Sequence, residues 1–318
     1  MNRNILLDVI KVIAAVLVIG LHCRFLYDHN KIVYQITSNG IFKIVIPLFF
    51  CINGFFLFDI FRKKNVNRWF IRVGILYLVW MLIYSPFWID FKSVNLFKII
   101  QSFLFGFNHL WYLTALLFGG FMLYKFKNLP SSSLLILSII LFITGVTIQY
   151  LGKFHVMSNI PLIDKILNFP PFHRSFLFYG FPFLSIGYII RKQGYHTKFN
   201  KIQAIILLVF SYLFVVIDSL LNYYYLTSEI VLNMHFSFLL LAPILLIISF
   251  TFTMNSKINS NLLSSFSVGI YLIHPLVIFL IFSLYNLDSI SLTVTTIILS
   301  FLLSYILIKI NTKVKYLL

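Results

Sequence analysis

The chain has 318 residues, of which 60% are hydrophobic, 19% aromatic and only 10% charged. A soluble domain carries roughly a quarter charged residues, so this composition excludes a water-soluble globule and requires lipid to cover what polar side chains cannot. The 25 Lys and Arg against 8 Asp and Glu give a net charge of +17, and their clustering between long apolar runs fits the loops of a membrane protein better than a nucleic-acid-binding face.

A helix needs about 20 predominantly apolar residues to cross the hydrocarbon layer. On that measure ten transmembrane helices are expected, at 5–26, 38–61, 69–89, 109–126, 132–151, 174–190, 202–221, 230–254, 265–285 and 290–308. The stretch 94–107 is shorter and is expected to lie at the interface or re-enter. The stretch 152–173, with Pro161, Pro170 and Pro171, reads as an irregular loop. With the N-terminus in the cytoplasm, the inner segments hold about twice as many Lys and Arg as the outer ones, which include Arg24, Lys43 and Arg174. The expectation is an all-α polytopic protein, one membrane-embedded domain over 1–318, with both termini cytoplasmic. Cys23 and Cys51 lie inside apolar runs and read as free thiols. Neither a cleavable signal peptide, nor an internal repeat, nor an appended soluble domain is read from the sequence.

The first helix, LLDVIKVIAAVLVIGLHCRFLYD, keeps charges where each costs about 3 kcal/mol at mid-bilayer. At 100° per residue, Asp8, Lys11 and His22 fall within about 40–60° of one another, with about 16 Å of rise between Lys11 and His22. Asp8 and Lys11 are spaced to form an i,i+3 ion pair. The plain reading is that Lys11 snorkels to the inner boundary and His22 is an interfacial polar residue. The functional reading is a stripe of acid, base and imidazole that handles protons.

Several segments resemble, in order, those of the acyltransferase type 3 family of integral membrane acyltransferases. LDVIKVIAAVLVIGLH carries the family's Arg or Lys, ten residues, then His, as Lys11 and His22, with Asp8 ahead of them. IPLFFCINGFFLF (46–58) is similar to its second-helix segment, with Asn53-Gly54-Phe55 where Ser-Gly-Phe is usual. HLWYL (109–113), FHRSFLFYGFPFLSIGYII (172–190) and VGIYLIHPLVI (268–278) resemble three later segments. The family often has two Arg three apart at the inner start of its third helix; here Arg68 and Arg72 are four apart.

The resemblance implies transfer of an acyl group, usually acetyl, from acyl-coenzyme A to a hydroxyl of a surface glycan or lipid-linked saccharide. Acetyl-CoA would be a co-substrate, with no permanently bound cofactor, no metal and no nucleic-acid partner. In that reading His22 is the general base, assisted by Asp8 and Lys11. Lys11, Arg68 and Arg72 meet the donor, although the basic run 62–72 also serves as an ordinary inner-surface anchor. Arg24, His109, Trp111 and Arg174 form an acceptor site, or else an interfacial belt of aromatic and basic residues. Asn53, Tyr271 and His274 line a tunnel, the Tyr271–His274 pair either locking a kinked helix or touching substrate. The expected location is the inner, cytoplasmic membrane. The competing functions are a transporter or flippase of acylated or lipid-linked saccharides, and a sensing or supply module such as the membrane half of an amino-acid racemase that resembles this family.

Overall fold

The structure, a computed structural model, describes residues 4–90, 95–226, 231–254 and 259–318. These residues form helices and connecting turns, with no strand among them. In chain order the helices are α1 (Ile5–His22), α2 (Lys31–Ile36), α3 (Val45–Arg62), α4 (Val66–Ile83), α5 (Ser85–Trp88), α6 (Leu96–Phe105), α7 (Trp111–Phe126) and α8 (Ser131–Lys153). There follow α9 (Pro161–Leu167), α10 (Pro170–His173), α11 (Phe181–Lys192), α12 (Lys201–Tyr225), α13 (Phe238–Thr251), α14 (Ser260–Leu284) and α15 (Ser289–Asn311).

The helices begin where side chains satisfy the first backbone N–H groups. Asn4 accepts from Leu7 N at 3.1 Å to open α1. Asn200 and Gln203 form a reciprocal capping box on α12, and Asp288 accepts from Ile290 N at 3.2 Å to open α15.

Small residues set the closest packing. α3 and α11 touch backbone to backbone: a methyl group on Gly54 would stand 1.9 Å from the Leu184 carbonyl oxygen, and one on Gly187 would stand 1.9 Å from that of Cys51. Without lipid-driven hydrophobic gain between helices, this kind of close approach is what holds them together. α1 and α14 run parallel and in register. Asp8 accepts a hydrogen bond from Ser260 at one end of the pair, and fourteen residues further along each helix the rings of His22 and His274 meet at 5.0 Å between centroids. Fourteen residues rise about 21 Å.

Among the described residues, seven segments are long and apolar enough to cross a membrane: α1, the stretch Lys31–Arg62, α4, α8, α12, α14 and α15. The ten-helix expectation is therefore met only in part. The expected spans at 109–126, 174–190 and 230–254 are realised as α7 of 16 residues, α11 of 12 and α13 of 14, all too short by that measure. α11 explains why: every residue from Phe181 to Ile190 is buried in the bundle, so protein partners replace the lipid that would otherwise dictate length. The stretch 152–173 is not irregular, since its prolines start α9 and α10 at the first turn, where a missing N–H costs nothing. The stretch 94–107 holds the short helix α6, none of whose residues is buried.

Lys43, counted with the outer-side charges, is not an interfacial charge. It is 3% exposed and donates to Asn39 Oδ1 and the Leu232 carbonyl. Asn39 in turn accepts, through its backbone carbonyl, from His235 Nε2 at 3.0 Å, and Asp218 lies 3.6 Å from the other nitrogen of His235. A buried amine held by neutral carbonyls belongs to the interior scaffold, not to the loop charge.

Candidate active site

A cavity of about 200 Å³ lies between α1, α3, α4, α7 and α14. Its polar and aromatic part is formed by His22, Asn53, His109, Trp111, Tyr112 and Tyr271; Val18, Val73, Leu76 and Leu116 extend it toward the end of the bundle that carries Arg68 and Arg72. His22, at the last turn of α1, has open surface and lines the cavity.

Three imidazoles converge here from three helical segments. The His274 ring lies 5.0 Å from that of His22 and 5.4 Å from that of His109. His274 Nδ1 is 3.0 Å from the Ile270 carbonyl. A carbonyl can only accept, so Nδ1 carries the proton, and in the neutral ring Nε2 keeps its lone pair. That Nε2 is buried with no hydrogen-bond partner, as are both ring nitrogens of His109. Buried nitrogens of this kind are normally satisfied, so their grouping beside the cavity sets this part of the bundle apart from ordinary packing.

The backbone around His274 is opened by a residue that sequence reasoning missed. Pro275 sits inside α14 and breaks the ladder there. Tyr84, 0% exposed at the end of α4, fills the gap: its hydroxyl donates to the Leu272 carbonyl at 2.8 Å and accepts from Leu276 N at 3.2 Å. Those two groups would bond each other in an unbroken helix. The Tyr84 ring also lies 5.2 Å from that of His109. Of the expected tunnel pair, Tyr271 donates to the His109 carbonyl at 2.8 Å and so ties α14 to the turn that begins α7.

Asn53 donates to the Phe49 carbonyl at 2.9 Å and to Tyr112 Oη at 3.0 Å. Tyr112 accepts that bond and keeps its own proton for the cavity. Trp111 forms part of the cavity wall, and Arg174 lies over its ring at 4.6 Å. The structure thus brings together His22, Asn53, His109, Trp111 and Tyr271 around the cavity, with Arg174 behind Trp111; His274, expected to line the tunnel with Asn53 and Tyr271, is instead fully buried behind the rings of His22 and His109.

Other expected site residues lie elsewhere. Lys11 donates to Asp8 Oδ1 at 2.9 Å, and neither lines the cavity. Arg24 is exposed beyond the end of α1 and rests on the Tyr27 ring at 4.3 Å. Arg68 and Arg72 are exposed on α4; Arg72 adjoins Val73, which does line the cavity.

Residues 4–309 match the model of a family described as an acyltransferase domain. The chain belongs to the acyltransferase type 3 family. The long apolar helices agree with a multi-pass membrane member of that family. An amino-acid racemase of Enterococcus faecalis is 23% identical over an alignment of 334 positions, which covers 97% of this chain and 46% of the relative. A serine/alanine racemase of Enterococcus gallinarum is 24% identical over 219 residues, covering 63% and 31%. The chain therefore spans less than half the length of these curated relatives. No solved structure matches it.

Proposed function

We propose that this chain is an O-acyltransferase, in the first instance an O-acetyltransferase, of the inner membrane that moves an acyl group from acyl-coenzyme A to a hydroxyl of a cell-envelope saccharide. The observation that carries the reading is the open His22 ring in the cavity wall, with the ring of His274 at 5.0 Å behind it. His22 takes the proton of the acceptor hydroxyl as its oxygen attacks the thioester carbonyl. The tetrahedral intermediate then collapses, the carbon–sulfur bond breaks, and His22 returns the proton to the leaving thiolate. The products are the ester and free coenzyme A. When His22 turns in the reacting complex, His274 Nε2, which has no partner in the resting structure, comes to accept from its second nitrogen and fixes its tautomer, so it is a positioning residue. Tyr112, whose oxygen already accepts from Asn53, turns its proton to the oxyanion.

The cavity volume, about 200 Å³, falls below the roughly 300–1,000 Å³ of pockets that enclose a whole small ligand. It suits the acyl thioester and one hydroxyl, while the nucleotide of the donor stays at the basic end near Arg68 and Arg72, whose forks suit phosphates. The test is release of free thiol from acetyl-CoA by the purified protein with envelope saccharides. His22→Ala should abolish it while the protein still inserts in membranes and melts like the parent. Turnover near the parental rate in that variant would remove His22 from the chemistry.

The names of the relatives favour a second reading, in which the membrane unit binds or delivers a free amino acid without acyl transfer. Saturable binding of labelled serine to a protein that releases no thiol under any acceptor would decide for it.

A further inference from the structure

Asn53 is half-buried on α3 and lines the His22 cavity. The two ends of its amide are used differently. The Phe49 carbonyl, 2.9 Å away, can only accept, so the atom that meets it is Nδ2. The second N–H of Nδ2 goes to Tyr112 Oη at 3.0 Å, which spends both donors. Oδ1 takes no hydrogen bond among the described residues, yet it is not enclosed, so its lone pairs face the cavity. The side chain is also held in place: Gly54, next along α3, lies against the Leu184 backbone and fixes the turn that carries Asn53.

A fixed acceptor without a donor discriminates between ligands. A ligand that brings an N–H matches it, and one that brings a lone pair is rejected. The position of Asn53 says which ligand that is. It stands nine residues before Arg62, about 14 Å from the basic run, and Val18, Val73, Leu76 and Leu116 line the stretch of cavity leading that way. Because Nδ2 is bonded to Tyr112 Oη, ligand atoms held by Oδ1 and by Tyr112 must be close neighbours. In acyl-CoA the thioester carbonyl and the first amide N–H are such neighbours, with only the sulfur and two methylenes between them.

We infer that Asn53 sets the register of the acyl donor: Oδ1 accepts from the amide N–H nearest the thioester, while Nδ2 holds Tyr112 against the thioester carbonyl. The inference rests on the acyltransfer reading and adds the residue that selects and places its donor. One side-chain amide thereby fixes how far the donor advances. The thioester carbon stops beside Tyr112, within reach of an acceptor oxygen held at His22.

The test compares acetyl-CoA with its analogue in which oxygen replaces that amide nitrogen, so that an ester stands where the amide was and the thioester and nucleotide are unchanged. The full chain in detergent, supplied with envelope saccharides, should use the ester analogue with kcat/KM lower by about tenfold or more. Asn53→Ala should be slower with both donors, because Tyr112 loses its partner, yet should use the two with equal efficiency. Loss of the preference is the readout, since a merely structural Asn53 would change the rate alone. Equal use of the two donors by the parent would overturn the contact, and that measurement needs no variant to fold. An Asn53→Ala protein that keeps the preference would assign the N–H to another residue and overturn it as well. Affinities for the two donors without acceptor separate this inference from the reading beneath it. A weaker affinity for the ester analogue with no transfer to any saccharide would keep the contact and sink the acyltransfer reading. Acyl transfer without preference would sink the contact alone and leave the enzyme standing.

Discussion

The hydroxyl of Tyr84 occupies the place of a backbone hydrogen bond in α14, donating to Leu272 at 2.8 Å and taking up the N–H that Leu276 would have given it. The side chain of one helix thereby holds another open at the point where His274 must turn toward His22. Tyr84→Phe strands two buried backbone groups, at about 1–3 kcal/mol. The variant should melt lower, and its turnover should fall about tenfold or more while the KM for acyl-CoA stays near the parental value. A fall in stability with unchanged kcat would reduce Tyr84 to a packing residue.

Tyr112→Phe keeps the ring and removes the proton aimed at the cavity. If that proton meets the oxyanion, kcat should drop about 10²–10³-fold, as for loss of one oxyanion donor, with little change in either KM. A change confined to KM would place the hydroxyl on bound substrate instead.

Lys11 is paired with buried Asp8, away from the cavity. Removing one member of a buried ion pair is strongly destabilising, by about 3–5 kcal/mol. Lys11→Leu should therefore lower the melting temperature sharply, whereas Lys11→Arg, which keeps the charge, should retain fold and activity. A Leu variant that melts like the parent but has a raised KM for acyl-CoA would show that the base meets the donor after all.

In the turn ahead of Arg174, His173 is 1% exposed; burial first, then the positive charges of Arg174 and Lys153, lower it from 6.5 to about 4. The folded state keeps this ring neutral, while the unfolded chain protonates it near its ordinary value. Its contribution is fully present above pH 6.5 and is lost as pH falls toward 4. Melting temperature should decline over that interval, and His173→Gln should flatten the decline. Parallel curves for the two proteins would refute the assignment.

The register of α1 was legible from spacing alone, because a 3.6-residue period leaves little freedom to Asp8, Lys11 and His22 once the segment is helical. The Asp8–Lys11 pair formed as the i,i+3 spacing required. Depth was harder to read: His274, expected near mid-membrane and His22 near the outer boundary, meet ring to ring because α14 is in register with α1. Tyr84 was invisible for a related reason. Its partner is a backbone gap 188 positions away, and nothing in the local pattern before Ser85-Pro86 distinguishes it from an interfacial tyrosine. The buried helix α11 was legible as apolar but not as short, since hydropathy cannot separate a segment covered by lipid from one covered by protein. Lys43 was counted with the outer-side charges because charge alone does not reveal burial.

The contact of Gly54 with Leu184 and of Gly187 with Cys51 has a mechanical consequence. With no side chain between the two backbones, α3 and α11 cannot slide or part without losing their whole interface, so they move as one body. α1 is pinned to α14 at Asp8 and again at His22. α4, by contrast, turns a broad face outward, with Ile71, Leu78 and Leu82 exposed at 60%, 50% and 74%, and is tied to α14 by the Tyr84 hydroxyl.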